Sequence, residues 1–184
     1  MPTIGSLLYF ILLPNNLDSK QRLAVLSLIF IATYIIPLFI LILFKRLKLI
    51  TSFKAESIRE RKIPVAIMIV LFYLLGNTLR GITNLYELGI LFYGTSIGLV
   101  IIYILFTFSI KTSIHLLSLG ITTGFFFVMN TIYNQNLIAL IISGFLISGL
   151  LASARLHLKA HTHKEVYLGF FLGFISPVFV FYFL

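Results

Sequence analysis

The sequence predicts an all-α, polytopic membrane protein: a six-transmembrane-helix bundle with a short N-terminal interfacial segment. Three observations carry this reading. Of 184 residues, 60% are hydrophobic and only 10% charged, with a mean hydropathy of +1.10. Soluble domains run about 45–50% apolar and about 25% charged. Apolar stretches recur at the length of a membrane helix, which needs roughly 20 residues. The connections are short except for one basic loop, Lys45 to Lys62, and none is large enough for a soluble domain. An ordinary soluble domain, a disordered segment and a coiled coil are thereby excluded, and residues 1–184 read as a single membrane domain.

The elements follow in chain order. Segment 4–13 is apolar but too short to span, and Pro14, Asn15 and Asn16 stop it. No positive stretch precedes it, as a signal peptide would require, so it is expected to be interfacial or half-inserted and packed on the bundle. The first span, about 23–44, is bracketed by Lys20 and Arg22 on one side and Lys45, Arg46 and Lys48 on the other. The others cover about 63–82, 88–108, 113–132, 136–154 and 166–184. Gly120, Gly124, Gly144 and Gly149 lie in the fourth and fifth spans, where small residues allow close helix packing. Asn77, in the second span, is expected to bond a neighbouring helix. Arg80 and Glu87 flank a short turn and are placed to pair across it. Tyr9, Tyr34 and Tyr73 read as interface or packing groups.

The charges are few and lopsided. Lys and Arg number 14 against 5 acidic residues, a net charge of +9. There is no Cys, which excludes disulfides, thiolate metal sites and cysteine nucleophiles. The six spans place connections 1–2, 3–4 and 5–6 on one face, here face A. Face A carries Lys45, Arg46, Lys48, Lys54, Arg59, Arg61, Lys62, Lys111, Arg155, Lys159 and Lys164, together with His115, His157, His161 and His163. Face B has only Lys20, Arg22 and Arg80. The positive-inside rule makes face A cytoplasmic. The same cluster also suits an anion site, because Arg forks and Lys point charges match phosphate. No globular face exists to carry a nucleic-acid patch, so no nucleic-acid partner is expected.

Three segments of face A carry the candidate chemistry. The first runs from Lys54 through Arg61 to Pro64. Such juxtamembrane basic runs also serve as topology signals or contacts to anionic lipid. The second holds Lys111, Thr112, Ser113 and His115 at the start of the fourth span, where free helix amides can hold an anion. The third is Ala154 to Glu165, joining the last two spans. In it His161 and Glu165 are four residues apart, and on a helix they share a face. A carboxylate there takes the proton of one imidazole nitrogen and leaves the other as an oriented nucleophile or base. Three His between 157 and 163 also fit a metal site, but Arg155, Lys159 and Lys164 would repel a divalent cation. Anion binding therefore ranks above metal binding. His157 and His163 read as solvated or phosphate-adjacent loop residues.

In this order and on one face, the three segments resemble the type 2 phosphatidic acid phosphatase superfamily, and most closely its short bacterial members. The family pattern is Lys-x6-Arg-Pro, then Pro-Ser-Gly-His, then Ser-Arg-x5-His-x3-Asp. Arg155, His161 and Glu165 reproduce the third spacing, with Glu for Asp and Ala154 for Ser. Ser113 and His115 match the second, with Thr112 for Pro and Ile114 for Gly. Lys54 and Arg61 have the separation of the first, and Pro64 comes two residues late. The resemblance covers about residues 50–184 and implies a multi-pass enzyme of the bacterial inner membrane that needs no metal or other cofactor. It implies that His161 attacks phosphorus, Glu165 orients it, and His115 protonates the leaving oxygen. Arg155, Arg61, Lys54 and Ser113 would bind the non-bridging oxygens. The implied substrates are lipid phosphates or isoprenyl diphosphates, met in contact with membrane lipids. Family members in bacteria face this site outward. The charge count points inward: setting aside Lys54, Arg61 and Arg155 leaves eight positive residues on face A against three on face B. A lipid-phosphate binder or structural subunit that has lost catalysis, or a small anionic-lipid transporter, are the alternatives.

Overall fold

A segment inside lipid must satisfy its backbone polar groups internally, so apolar stretches of this length fold as helices. The structure, a computed structural model, describes residues 2–48, 50, 57–134 and 136–184. Lys54 lies outside the described residues. The elements are α1 (Pro2–Leu12), α2 (Ser19–Phe30), a π turn (Ile31–Ile35), α3 (Ile36–Arg46), α4 (Ile58–Arg80), α5 (Tyr86–Thr107), α6 (Ile114–Tyr133), α7 (Ile138–His157) and α8 (His163–Phe183). No strand occurs among the described residues. Six continuous helices among them are long and apolar enough to cross a membrane, the first being the run Ser19–Arg46 through α2, the π turn and α3. The chain is thus an all-α polytopic bundle that contacts membrane lipids.

Helix α1 is too short to span and packs against α5 and α6. Near its start Gly5 abuts Thr122 and Leu91 in mid-membrane. At its far end the Tyr9 ring meets Phe125, and its hydroxyl donates to Glu87 Oε2 at 3.2 Å. Tyr133 donates to Glu87 Oε1 at 2.8 Å. Helix α1 therefore packs on the bundle, reaching from face B toward its centre. The expected Arg80–Glu87 pair does not form. Glu87 is taken by the two tyrosines, while Arg80 donates to the Leu184 carbonyl at 2.8 Å and covers the Tyr86 ring at 5.2 Å. A carboxylate between two apolar helices gains more from two phenolic donors than from a partner exposed at the interface. Glu87→Ala removes the acceptor of both hydroxyls. It is expected to cost about 1–3 kcal/mol, the range for an orphaned buried polar group, read as a lower melting temperature in detergent.

The first span carries the π turn because Pro37 has no N–H with which to continue the α ladder. Its ring sits in the first turn of α3, and the Ile36 N–H bonds back to the Ile31 carbonyl. Nearby, the Thr3 and Thr33 hydroxyls bond at 2.6 Å and tie α1 to this turn.

The tightest packing joins α6 and α8. Gly120 and Gly124 on α6 face the Phe170 and Phe174 carbonyls of α8, and Gly173 on α8 faces the Leu117 carbonyl of α6. A Cβ on Gly169 would lie 2.6 Å from the Ser113 carbonyl. Each helix thus presents a Gly-x3-Gly pair to the other's backbone, the small-residue interface that lets membrane helices touch. Gly144 of α7 similarly admits Thr123 of α6. Gly149, expected to do the same, meets nothing within 4 Å, because α7 lies at the bundle's edge and that side faces outward. Asn77 accepts from the Tyr93 hydroxyl at 3.2 Å, joining α4 to α5.

Candidate functional site

The starts of α6 and α8 and the end of α7 meet on face A, where α4 also begins, and local sequence decides where each end falls. Ser57 caps α4, its hydroxyl accepting the Glu60 N–H at 3.2 Å, and Arg61 follows in the next turn. Ser113 is the N-cap residue of α6. Helix α7 ends in a Schellman motif. Lys159 adopts φ 51°, the Lys159 N–H bonds the Leu156 carbonyl, and the Ala160 N–H bonds the Arg155 carbonyl. The chain then turns back, and Thr162 caps α8 by accepting the Glu165 N–H at 3.4 Å.

This geometry brings His161 onto Glu165 in a way the spacing did not foresee. The two do not share a helix face, because His161 lies one residue before the α8 cap. Glu165 instead stands in the first turn of α8 and reaches back over the cap, as the third helical residue does in a capping box. His161 Nδ1 and Glu165 Oε2 are 2.6 Å apart, with the side chains only 7% and 18% exposed. An ionised carboxylate here holds the proton on Nδ1 and leaves Nε2 with a free lone pair.

The other groups converge on this pair. His115 feels the charges of Arg155, His161 and Arg61, so groups from α4, α6, α7 and the α7–α8 turn lie within electrostatic reach of it. The Ser113 N–H bonds the Glu165 carbonyl at 3.2 Å, locking the α6 start to the α8 start. Ser113 is fully buried, and its Oγ has no hydrogen-bond partner among the described residues. The same holds for Thr112 Oγ1. A buried hydroxyl without a partner is costly, and at a helix N-terminus two such groups beside three free amides suit an anion. Thr112 stood out in the sequence only as a departure from a motif. Its chemistry needed the burial and the helix start to become visible. Ile114, the other departure in that segment, packs into the main core and not among the cations. His157 and His163 are exposed, as expected for solvated residues.

The arrangement offers an oriented imidazole, a second imidazole at the mouth of a span, two guanidinium groups and two unpaired hydroxyls. Comparison with family models, curated proteins and solved structures found no match to this chain.

Proposed function

We propose that the chain is a lipid phosphatase of the bacterial inner membrane. It would hydrolyse a phosphomonoester or diphosphate head group through a phosphohistidine, without a metal. The observation that carries the reading is the shielded His161–Glu165 pair set among His115, Arg155 and Arg61. In this reading Nε2 of His161 attacks phosphorus and the P–O bond to the lipid breaks. Glu165 stabilises the imidazolium character that develops, and His115 gives its proton to the leaving oxygen. His115 then takes a proton from water, which attacks the phosphohistidine and releases orthophosphate. Arg155, Arg61, Lys54 and the Ser113 hydroxyl bind the non-bridging oxygens, where phosphoryl transfer concentrates charge. Excess positive charge on face A beyond these residues supports a cytoplasmic site, and the family resemblance supports an outward one.

The test is purified protein in detergent given a panel of lipid phosphates and isoprenyl diphosphates. Orthophosphate release that persists in a chelator supports the reading. Tight binding without turnover overturns it in favour of a lipid-phosphate binder, and translocation in vesicles favours a transporter.

The role given to His115 makes a separate prediction. His115→Ala is expected to lower release from an alkyl phosphate by about 10²–10³-fold, within the usual range for a general acid. With p-nitrophenyl phosphate, whose leaving group needs no proton, the loss in the first turnover, before water attacks the phosphohistidine, is expected to shrink to within about tenfold. Equal losses on both substrates would remove His115 from the acid role.

A further inference from the structure

Beneath the cluster lies an apolar cavity of about 320 Å³. Its upper wall includes Pro64 and Ile114, and its lower wall Phe72, Thr95, Thr33 and the start of α1 at Pro2. Helical register ties it to the site. Pro64 is three residues after Arg61, and Ser118, also on the wall, is three after His115, so each stands on the face of its site residue one turn deeper. From Pro64 to Phe72 the helix rise is about 12 Å, which reaches toward the middle of a core about 30 Å thick. The space exists because three of the chain's five prolines line it. Pro37, at the π turn, and Pro64 interrupt the close packing of their spans.

Among the described residues its lining leaves no hydroxyl without a partner. Thr95 donates to the Leu91 carbonyl at 2.7 Å, Ser118 to the Ile114 carbonyl at 3.0 Å, and Thr33 is bonded to Thr3. The lining suits an apolar occupant and not a polar one. A cavity of 150 Å³ holds a benzene ring, so this one holds roughly a dozen carbons, one chain and not two.

Resting on the phosphatase reading, we propose that this cavity receives the apolar chain of the substrate. The site thereby selects phosphates carried on a single alkyl or prenyl chain. The phosphate sits among Arg61, His115 and Arg155, and the chain descends past Pro64 and Ser118 to the start of α1, which forms the floor. A phosphatidate would have to leave its second chain outside the bundle.

The test is photolabelling of the full chain in detergent with a dodecylphosphonate carrying a diazirine at its terminal carbon, which cannot turn over. Label is expected on Phe72, Thr95 or Leu99. A hexyl probe is expected to label nearer Pro64 and Ile114. Leu99→Phe, which narrows the cavity, is expected to lower deep labelling by about tenfold, the equivalent of an overpacked contact. Decyl phosphate or geranyl phosphate should displace the label, the stronger competitor identifying an alkyl or a prenyl chain. A two-chain phosphatidate should compete at least about tenfold less well, a difference of one decade in affinity. Label confined to outward residues such as Tyr167 and Phe171, or equal label from the corresponding alcohol, or equal competition by phosphatidate, overturns the proposal. Labelling does not depend on turnover. Deep, phosphonate-dependent label with no hydrolysis therefore refutes the phosphatase reading and keeps the chain site, and hydrolysis with outward label does the reverse.

Discussion

His161→Ala is expected to lower orthophosphate release by at least about 10³-fold, because it removes the atom that forms the covalent bond. Glu165→Gln keeps the size of the side chain and removes its charge. The amide can still accept from Nδ1–H or turn to donate, so the tautomer is no longer enforced and the developing imidazolium is not stabilised. A loss of about 10²–10⁴-fold is expected, as for other oriented imidazoles deprived of their carboxylate. The two losses should not add. With His161 gone, Glu165 has nothing to orient, and the double variant should match His161→Ala alone. Initial rates on one lipid phosphate, with melting temperatures as a folding control, check all three. The Thr162 cap of α8 involves the Glu165 backbone and not its side chain, so both single variants are expected to keep the fold. Additive losses, or a His161→Ala protein of ordinary activity, would refute the assignment.

Gly120→Val and Gly173→Val are expected to be among the most destabilising single substitutions in the chain. At each position a Cβ would enter the space of a backbone carbonyl on the facing helix, Phe170 for Gly120 and Leu117 for Gly173. Neither carbonyl can move aside as a side chain can, so the helices must separate. The cost is expected at about 3 kcal/mol, the upper end for overpacking. Because α6 carries Ser113 and His115 while α8 carries Glu165, the same separation pulls the site apart. The Ser113–Glu165 backbone bond of 3.2 Å is the first contact to go. Gly149→Val is the control: nothing lies within 4 Å of a Cβ there, and its melting temperature and activity should stay close to those of the parent. Chemical unfolding in mixed micelles reads the difference. Equal stability of the Gly149 and Gly120 variants would remove the α6–α8 contact from its central place.

The spans were legible because lipid leaves an apolar stretch only the helix, and their observed ends differ from expectation by only a few residues. That α1 is too short to span and packs on the bundle was legible too, from its length and from the Pro14 stop. The π turn was not: Pro37 sits inside a uniformly apolar run, and whether a proline kinks, caps or widens a helix depends on neighbours that sequence does not place. Glu87 drew the wrong partner because adjacency across a turn is visible in sequence, whereas Tyr9 and Tyr133 reach it from 78 and 46 residues away. In the site, the spacing of His161 and Glu165 suggested a meeting along a helix face, and the two side chains do meet, by a different geometry. The side chains meet across a helix cap and not along a helix face. Gly169 and Gly173 escaped notice because their role exists only opposite Gly120 and Gly124.

The central claim is that phosphate passes through His161 before it reaches water. The stereochemical course at phosphorus tests this most directly, with a chiral oxygen-18-labelled phosphorothioate substrate hydrolysed in oxygen-17 water and the released thiophosphate analysed for configuration. Two in-line displacements, one by His161 and one by water, predict net retention. Inversion, the mark of a single attack by water, would contradict the account.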